Sequence, residues 1–191
     1  GDIFLLDWQR FNNVFVSSLF GNIFMHPSIA VWENNELFII ELVNYFRDKK
    51  YKGLVKIPFN KWYRINKSAL ILHNPLIIDD EKEKSEKLRT TLSKKIINFY
   101  ENYKGKIDKP SGLNRTWIRF LYPQKEYKVR ENFEDFICTE AISFLLSEVN
   151  VVEKNKSIES YQPDSFIKMK DFRTIKPYRY RESYLAKIDE L

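Results

Sequence analysis

Two apolar runs on either side of a short polar segment constrain the fold of this chain more than any other pattern in it. Residues 23–32 (Ile-Phe-Met-His-Pro-Ser-Ile-Ala-Val-Trp) and 37–43 (Leu-Phe-Ile-Ile-Glu-Leu-Val) are rich in β-branched and aromatic side chains, which favour strands. Residues 33–36 (Glu-Asn-Asn-Glu) between them are polar turn formers. The pattern predicts a β-hairpin. Pro27 further predicts that the first strand lies at a sheet edge or contains a bulge.

Further short apolar runs predict additional strands, and the later half of the chain has helical spacing. Residues 3–6, 54–57 and 69–72 are the other strand candidates. The apolar side chains that recur every three or four residues, as on one face of an amphipathic helix, are Leu88, Leu92, Ile96, Phe99 and Tyr100. Before them, the charged residues 79–86 are expected to form a solvated first turn and loop. After them, Lys104-Gly105 is expected to end the helix.

A second helix is predicted over residues 133–149. Glu134 and Asp135 lie in its first turn, where negative charge is favourable. Its predicted buried face consists of Ile137, Ala141, Phe144, Leu145 and Val149. Because strands come first and helices later, we expect an α+β fold in which an antiparallel sheet packs against helices. We expect one domain over residues 1–170, followed by a basic, aromatic tail over residues 171–191.

Composition excludes several kinds of protein. With 191 residues, 43% of them apolar, the chain can bury a real core. Its net charge of +6 is spread among acidic residues and does not indicate a nucleic-acid binder. The single cysteine excludes an internal disulfide and a multi-cysteine zinc site, and we expect no metal or cofactor. No run approaches the roughly 18 apolar residues of a membrane-spanning helix.

That single cysteine, Cys138, comes near the start of the second predicted helix. Unpaired backbone N–H groups and the helix dipole favour a thiolate at a helix N-terminus, and the thiolate is the nucleophilic form. The alternative is that Cys138 is a small buried apolar side chain on an apolar helix.

A nucleophilic cysteine needs an imidazole within hydrogen-bond reach, and the chain has two histidines. His26 lies within a predicted strand, whereas His73 precedes Asn74-Pro75 and is expected in a loop. Glu41, on the strand after His26, is the carboxylate placed to orient its ring. The alternative is that His26 is an ordinary sheet residue and that Glu41 caps a strand end.

These segments together resemble the circularly permuted branch of the NlpC-type papain-like superfamily, the YiiX-like amidases. In that family a Gly-Asp pair opens the domain, one strand carries the histidine, the next carries a polar orienter, and the cysteine comes late at a helix N-terminus. The likeness extends over about residues 1–167. The sequence departs from the family at Pro27-Ser28, where a small pair such as Val-Gly is usual. The matching segments here are Gly1-Asp2-Ile3, Phe24-Met25-His26, Ile39-Ile40-Glu41, residues 97–105, residues 136–140 (Phe-Ile-Cys-Thr-Glu) and residues 161–166.

The resemblance implies a permuted papain-like domain with Cys138 as nucleophile, His26 as base and Glu41 as orienter. It implies a hydrolase or acyltransferase that acts on an amide or ester bond, as a cysteine peptidase-like amidase or on an acyl lipid. It also implies possible association with a membrane surface or a virion, in a reducing compartment or a virus particle. The alternative is a catalytically silent papain-like component of a large DNA virus particle. Nucleic-acid binding through the tail residues 173–181 is the less favoured reading.

Overall fold

The computed structural model describes residues 1–7, 25–43, 53–67, 69–104, 138–154, 163–168 and 173–186. The strands are β1 (Ile3–Asp7), β2 (Met25–Glu33), β3 (Glu36–Val43), β4 (Gly53–Pro58), β5 (Leu70–Asn74), β6 (Leu76–Ile78), β7 (Tyr178–Tyr180) and β8 (Tyr184–Leu185). The helices are α1 (Phe59–Asn66), α2 (Lys82–Tyr103), α3 (Cys138–Glu148) and α4 (Pro163–Lys168).

The main sheet has six strands in the order β4-β3-β2-β1-β5-β8, and each neighbouring pair is antiparallel. The predicted hairpin is confirmed as β2 and β3. Its turn consists of two residues rather than four, because Glu33 and Glu36 are already paired across the strands. Asn34 and Asn35 have φ values of 49° and 62°, the left-handed backbone that a tight hairpin turn requires.

The expectation that Pro27 marks an edge strand is wrong for the sheet as a whole. β2 lies between β1 and β3, and Pro27 is opposite Leu5 of β1. On the other side, the pairing with β3 begins only at Ser28. Proline has no N–H to donate to a neighbouring strand. It is tolerated here because β3 is not paired with β2 at this position, so no hydrogen bond to β3 is lost.

Alternation along the strands divides the core into two layers. Ile29 and Val31 face one side of the sheet, where α2, α3 and α4 pack, and Ala30 faces the other side, where α1 packs. The two-residue period of a strand produces this division. Both faces are therefore covered, and the fold is a mixed α+β structure with a mostly antiparallel sheet.

The helix α2 starts earlier than the sequence pattern indicated. It begins at Lys82, so most of the charged run 79–86 is helical rather than a loop. Its side chains are mainly exposed there, while Leu92, Ile96 and Phe99 are buried as predicted. Charged residues with good helix propensity extended the helix into solvent without needing a buried face. It ends at Tyr103, and Gly105 lies outside the described residues.

The helix α3 is buried on nearly all sides. Eight of its eleven residues are buried, including polar Thr139 and Glu140. Ala141, Leu145 and Val149 are buried as predicted, and Phe144 is partly buried. The predicted first turn at residues 133–137 lies outside the described residues.

The described part of the C-terminal segment contributes strands. β7 pairs with β6 in a second, two-stranded sheet, and β8 pairs with β5 at the edge of the main sheet. Tyr178 and Tyr180 pack against the core, and the Tyr180 hydroxyl donates to the Gly1 carbonyl at 2.9 Å. Among the described helices, none is both long enough and apolar enough to cross a bilayer.

Candidate active site

The β2–β3 hairpin brings His26 and Glu41 together on one face of the sheet. Ser28 lies directly opposite Glu41, so His26, two residues earlier, is the diagonal neighbour of Glu41 on the same face. The His26 Nε2 group hydrogen-bonds with Glu41 Oε2 at 3.1 Å. Glu41 is 1% exposed. The hydrogen bond that the sequence predicted between the two side chains is therefore present.

A third side chain, which was not singled out from the sequence, also contacts this carboxylate. Trp62 of α1 donates its indole N–H to Glu41 Oε2 at 3.2 Å, the same oxygen that His26 contacts. α1 itself was not predicted. One signal was available, because a carboxylate in an apolar strand must find donors and a buried tryptophan usually finds an acceptor.

Cys138 is the first residue of α3, and its side chain is partly buried against the core. Cys138 interacts with the imidazole of His26 through its charge and through a side-chain hydrogen bond, and both effects raise the pKa of that ring. The structure thus connects all three residues singled out in the sequence, in the order Cys138, His26, Glu41.

The electrostatics of this group favour a protonated ring. Burial by itself lowers the pKa of His26, but the charge of Cys138 and the hydrogen bond with its side chain, and then the hydrogen bond and charge of Glu41, raise that pKa from 6.5 to about 9. At neutral pH the imidazole is therefore an imidazolium between two acidic groups. Such a ring can donate a proton to a leaving group, which is the task of a general acid.

The prediction that His73 lies in a loop is wrong. His73 is a buried residue of β5, and its two ring nitrogens hydrogen-bond with Asp2 Oδ2 at 2.8 Å and with the Tyr184 hydroxyl at 2.7 Å. Its ring stacks on Phe4 with 4.7 Å between centroids. The strand extends up to Asn74 because Pro75 interrupts the pattern only after it. His73 thus links β1, β5 and β8, and its recorded partners do not include Cys138.

The carboxylate beside His73 is ionised. Burial raises the pKa of Asp2, but the His73 hydrogen bond, the Leu76 backbone N–H and the charge of His73 together leave it below its ordinary value. Asp2 Oδ1 accepts that N–H at 3.0 Å. His73 and Asp2 therefore form a second histidine–carboxylate pair, and its partners are Tyr184, the Leu76 N–H and the Phe4 ring.

Within the described residues, no group of three or more His, Cys, Asp or Glu side chains is arranged to hold a metal ion. The expectation that no cofactor is needed stays a prediction. No protein-family model matches this sequence, and no curated protein matches it.

Proposed function

We propose that this protein is a cysteine-dependent hydrolase or acyltransferase that acts on an amide or ester bond through a thioacyl intermediate. The observation that carries this proposal is that His26 hydrogen-bonds with Glu41 at 3.1 Å and interacts with Cys138 strongly enough to raise the pKa of the ring. A thiol, an imidazole and an orienting carboxylate are the three parts that nucleophilic acyl transfer requires.

In the first step, the Cys138 sulfur attacks the carbonyl carbon as a thiolate and forms a tetrahedral intermediate. When the intermediate collapses, the bond from carbon to the leaving nitrogen or oxygen breaks. His26 gives its proton to that leaving group, and the acyl group remains on sulfur as a thioester.

In the second step, neutral His26 takes a proton from water, and the resulting hydroxide attacks the thioester carbon. The carbon–sulfur bond breaks, the acid is released and the Cys138 thiolate returns beside an imidazolium. An alcohol or amine in place of water would give acyl transfer. Glu41 stabilises the imidazolium and fixes the ring, without contacting the carbonyl carbon.

The oxyanion that forms in both steps needs hydrogen-bond donors. The backbone N–H of Cys138, at the first position of α3, is placed to supply one of them, because N–H groups in the first turn of a helix have no intrahelical partner. The dipole of α3 favours negative charge at the same end.

A permuted papain-like fold, similar to the YiiX-like amidases, is the architecture that we propose for this site. Three features support it: an antiparallel sheet, a buried helix that begins with the cysteine, and the chain order histidine, carboxylate, cysteine. The substrate would be a peptide amide or an acyl lipid. Association with a membrane surface or a virion stays a prediction.

The test uses the fact that Cys138 is the only cysteine. Incubation with p-nitrophenyl acetate at neutral pH should release p-nitrophenol, and mass spectrometry should find one acetyl group on Cys138. Cys138→Ala should abolish both signals. His26→Ala should reduce turnover by about a hundredfold, the lower bound of the contribution expected from a general acid–base.

A folded protein whose Cys138 is neither acetylated by the ester nor alkylated faster than free cysteine would contradict the proposal. That outcome would favour the alternative, a catalytically silent domain in a larger particle. Trp32→Phe is the matched control for any variant, because Trp32 is 59% exposed at the far end of β2 from His26.

A further inference from the structure

Trp62 is held in a fixed position beside Glu41. Its side chain is 1% exposed. The rings of Phe4 and Phe59 lie 5.7 Å and 5.9 Å from it, measured between centroids. The Asn66 side chain donates to the Trp62 carbonyl at 2.7 Å, and this hydrogen bond stabilises the turn of α1 that carries Trp62. The indole therefore has little freedom to move away from the carboxylate.

The hydrogen bond from this indole cannot be replaced by packing alone. Glu41 is buried, and a buried carboxylate is costly unless donors satisfy its oxygens. An indole N–H can donate a hydrogen bond but cannot accept one. An oxygen of Glu41 must therefore lie opposite it, and that oxygen is Oε2. His26 and Trp62 donate to the same oxygen, at 3.1 Å and 3.2 Å, and together they fix how the carboxylate is rotated.

We propose that Trp62 is a positioning residue of the candidate active site, which acts on His26 through Glu41. The inference rests on the proposed function for its catalytic consequence, but its geometric content is independent of it. Without the indole N–H, the carboxylate loses a donor at Oε2 and is held less firmly in its present orientation. The imidazolium of His26 is then held less firmly in the orientation that the Cys138 sulfur requires.

The test is Trp62→Phe, which keeps a buried aromatic ring and removes the N–H. The kcat of ester hydrolysis should fall about tenfold, the effect expected from losing one hydrogen bond to a charged group, while KM changes little. Trp32→Phe is the matched control and should leave both constants unchanged. A fall in activity that Trp32→Phe reproduces would overturn the proposal.

A second readout separates positioning from general support of the fold. Cys138 and Glu41 are the titratable groups recorded against His26. In Trp62→Phe, the midpoint of the His26 titration, followed by NMR of the ring protons, should move from about 9 toward the ordinary 6.5. The chain has two histidines, so His26→Ala assigns the signal. An unchanged midpoint would overturn the proposal even if activity fell.

A double-mutant cycle identifies the route of the effect. Glu41→Gln should lower activity partially, and Trp62→Phe should add almost nothing in that background because its partner has already lost the charge. Additive losses would mean that Trp62 acts elsewhere, which would overturn the proposal.

The proposal stays testable if Trp62→Phe does not fold. In the unmodified protein, the Trp62 indole N–H resonance should shift as His26 titrates and should lose that dependence in Glu41→Gln. An indole resonance that ignores the His26 titration would overturn the proposal. If the unmodified protein hydrolyses no ester, the proposed function fails, while these titrations still decide whether Trp62 positions Glu41.

Discussion

The protonation state of His26 sets the pH range in which the candidate site can work. Its pKa is raised from 6.5 to about 9, so the imidazolium persists through neutral and mildly basic pH. The raised value means that the proton is lost from the folded protein only as the pH passes about 9. Cysteine chemistry that needs a proton donor should therefore end at that limit.

The pKa of His26 predicts different pH profiles for ester hydrolysis and for alkylation of Cys138. Above pH 9, kcat/KM for an alkyl ester or an amide, whose leaving group must be protonated, should decline as His26 loses its proton. Alkylation of Cys138 by iodoacetamide needs only the thiolate, and its rate should not decline over the same range. Stopped-flow alkylation and steady-state hydrolysis between pH 6 and 10 check this expectation. Two profiles that fall together above pH 9 would contradict it.

His73 has a different role at the residue scale. His73→Ala removes a buried ring and leaves Asp2 without its imidazole partner, so the free energy of unfolding should fall by about 1–3 kcal/mol. The folded fraction should keep its Cys138 alkylation rate, because the partners of His73 are Asp2 and Tyr184. Urea denaturation and alkylation of the same samples measure both quantities.

His26→Ala is the comparison for that experiment. It should slow alkylation at neutral pH, because the imidazolium that accompanies the thiolate is lost. If His73→Ala slowed alkylation of the folded protein and His26→Ala did not, the base would have been assigned to the wrong histidine.

At the scale of elements, the β2–β3 hairpin assembles the two strand-borne parts of the site. Its register sets Ser28 opposite Glu41 and so puts His26 within reach of the carboxylate. Because side chains alternate along a strand, a shift by one residue would turn Glu41 to the opposite face of the sheet. The tight turn at Asn34 and Asn35 is what fixes this register.

The turn predicts a stability difference between two substitutions at one position. Asn35 has a φ of 62°, which costs an ordinary side chain about 1–2 kcal/mol. Asn35→Ala should therefore lower the free energy of unfolding by about 1 kcal/mol, whereas Asn35→Gly should not, since glycine adopts positive φ without strain. Urea denaturation midpoints measure both. Equal losses for Ala and Gly would show that the Asn35 side chain, rather than the backbone, is what matters.

At the scale of the whole molecule, the C-terminal segment is a structural part of the fold. Residues 173–186 supply both β7 and β8 and place Tyr180 against Gly1. Arg179 pairs with Asp79 at 2.5 Å on the surface. Tyr178 and Tyr180 of this segment pack against the core, whereas Tyr184 is 48% exposed. The boundary between residues 170 and 171 stays a prediction.

Truncation tests this role. Removing residues 173–191 should lower the thermal midpoint by several degrees or more. The truncation deletes β8, which covers the edge of β5, and β7, which is the partner of β6. A nucleic-acid-binding tail would behave differently: its removal would leave the midpoint unchanged and would abolish a salt-dependent mobility shift.

Local patterns in the sequence were enough to predict the parts of this protein that depend on neighbouring residues. Periodicity predicted the β2–β3 hairpin, β1 and the apolar stripes of α2 and α3. It also placed His26 and Glu41 on consecutive strands, which made their hydrogen bond one of two readings, and the structure shows that bond at 3.1 Å. Strand alternation and helical spacing act over a few residues, so their consequences can be read from the chain directly.

Which distant side chains meet depends on how the whole chain folds, and the local patterns did not reveal it. Trp62 is 21 residues from Glu41, and Tyr184 is 111 residues from His73. Pro27 is acceptable inside the sheet because the pairing of β2 with β3 begins only at Ser28. The basic tail belongs to the sheets because its strands pair with the edges of β5 and β6. Such contacts arise from how buried polar groups and strand edges are satisfied across the whole fold, and no local pattern encodes them.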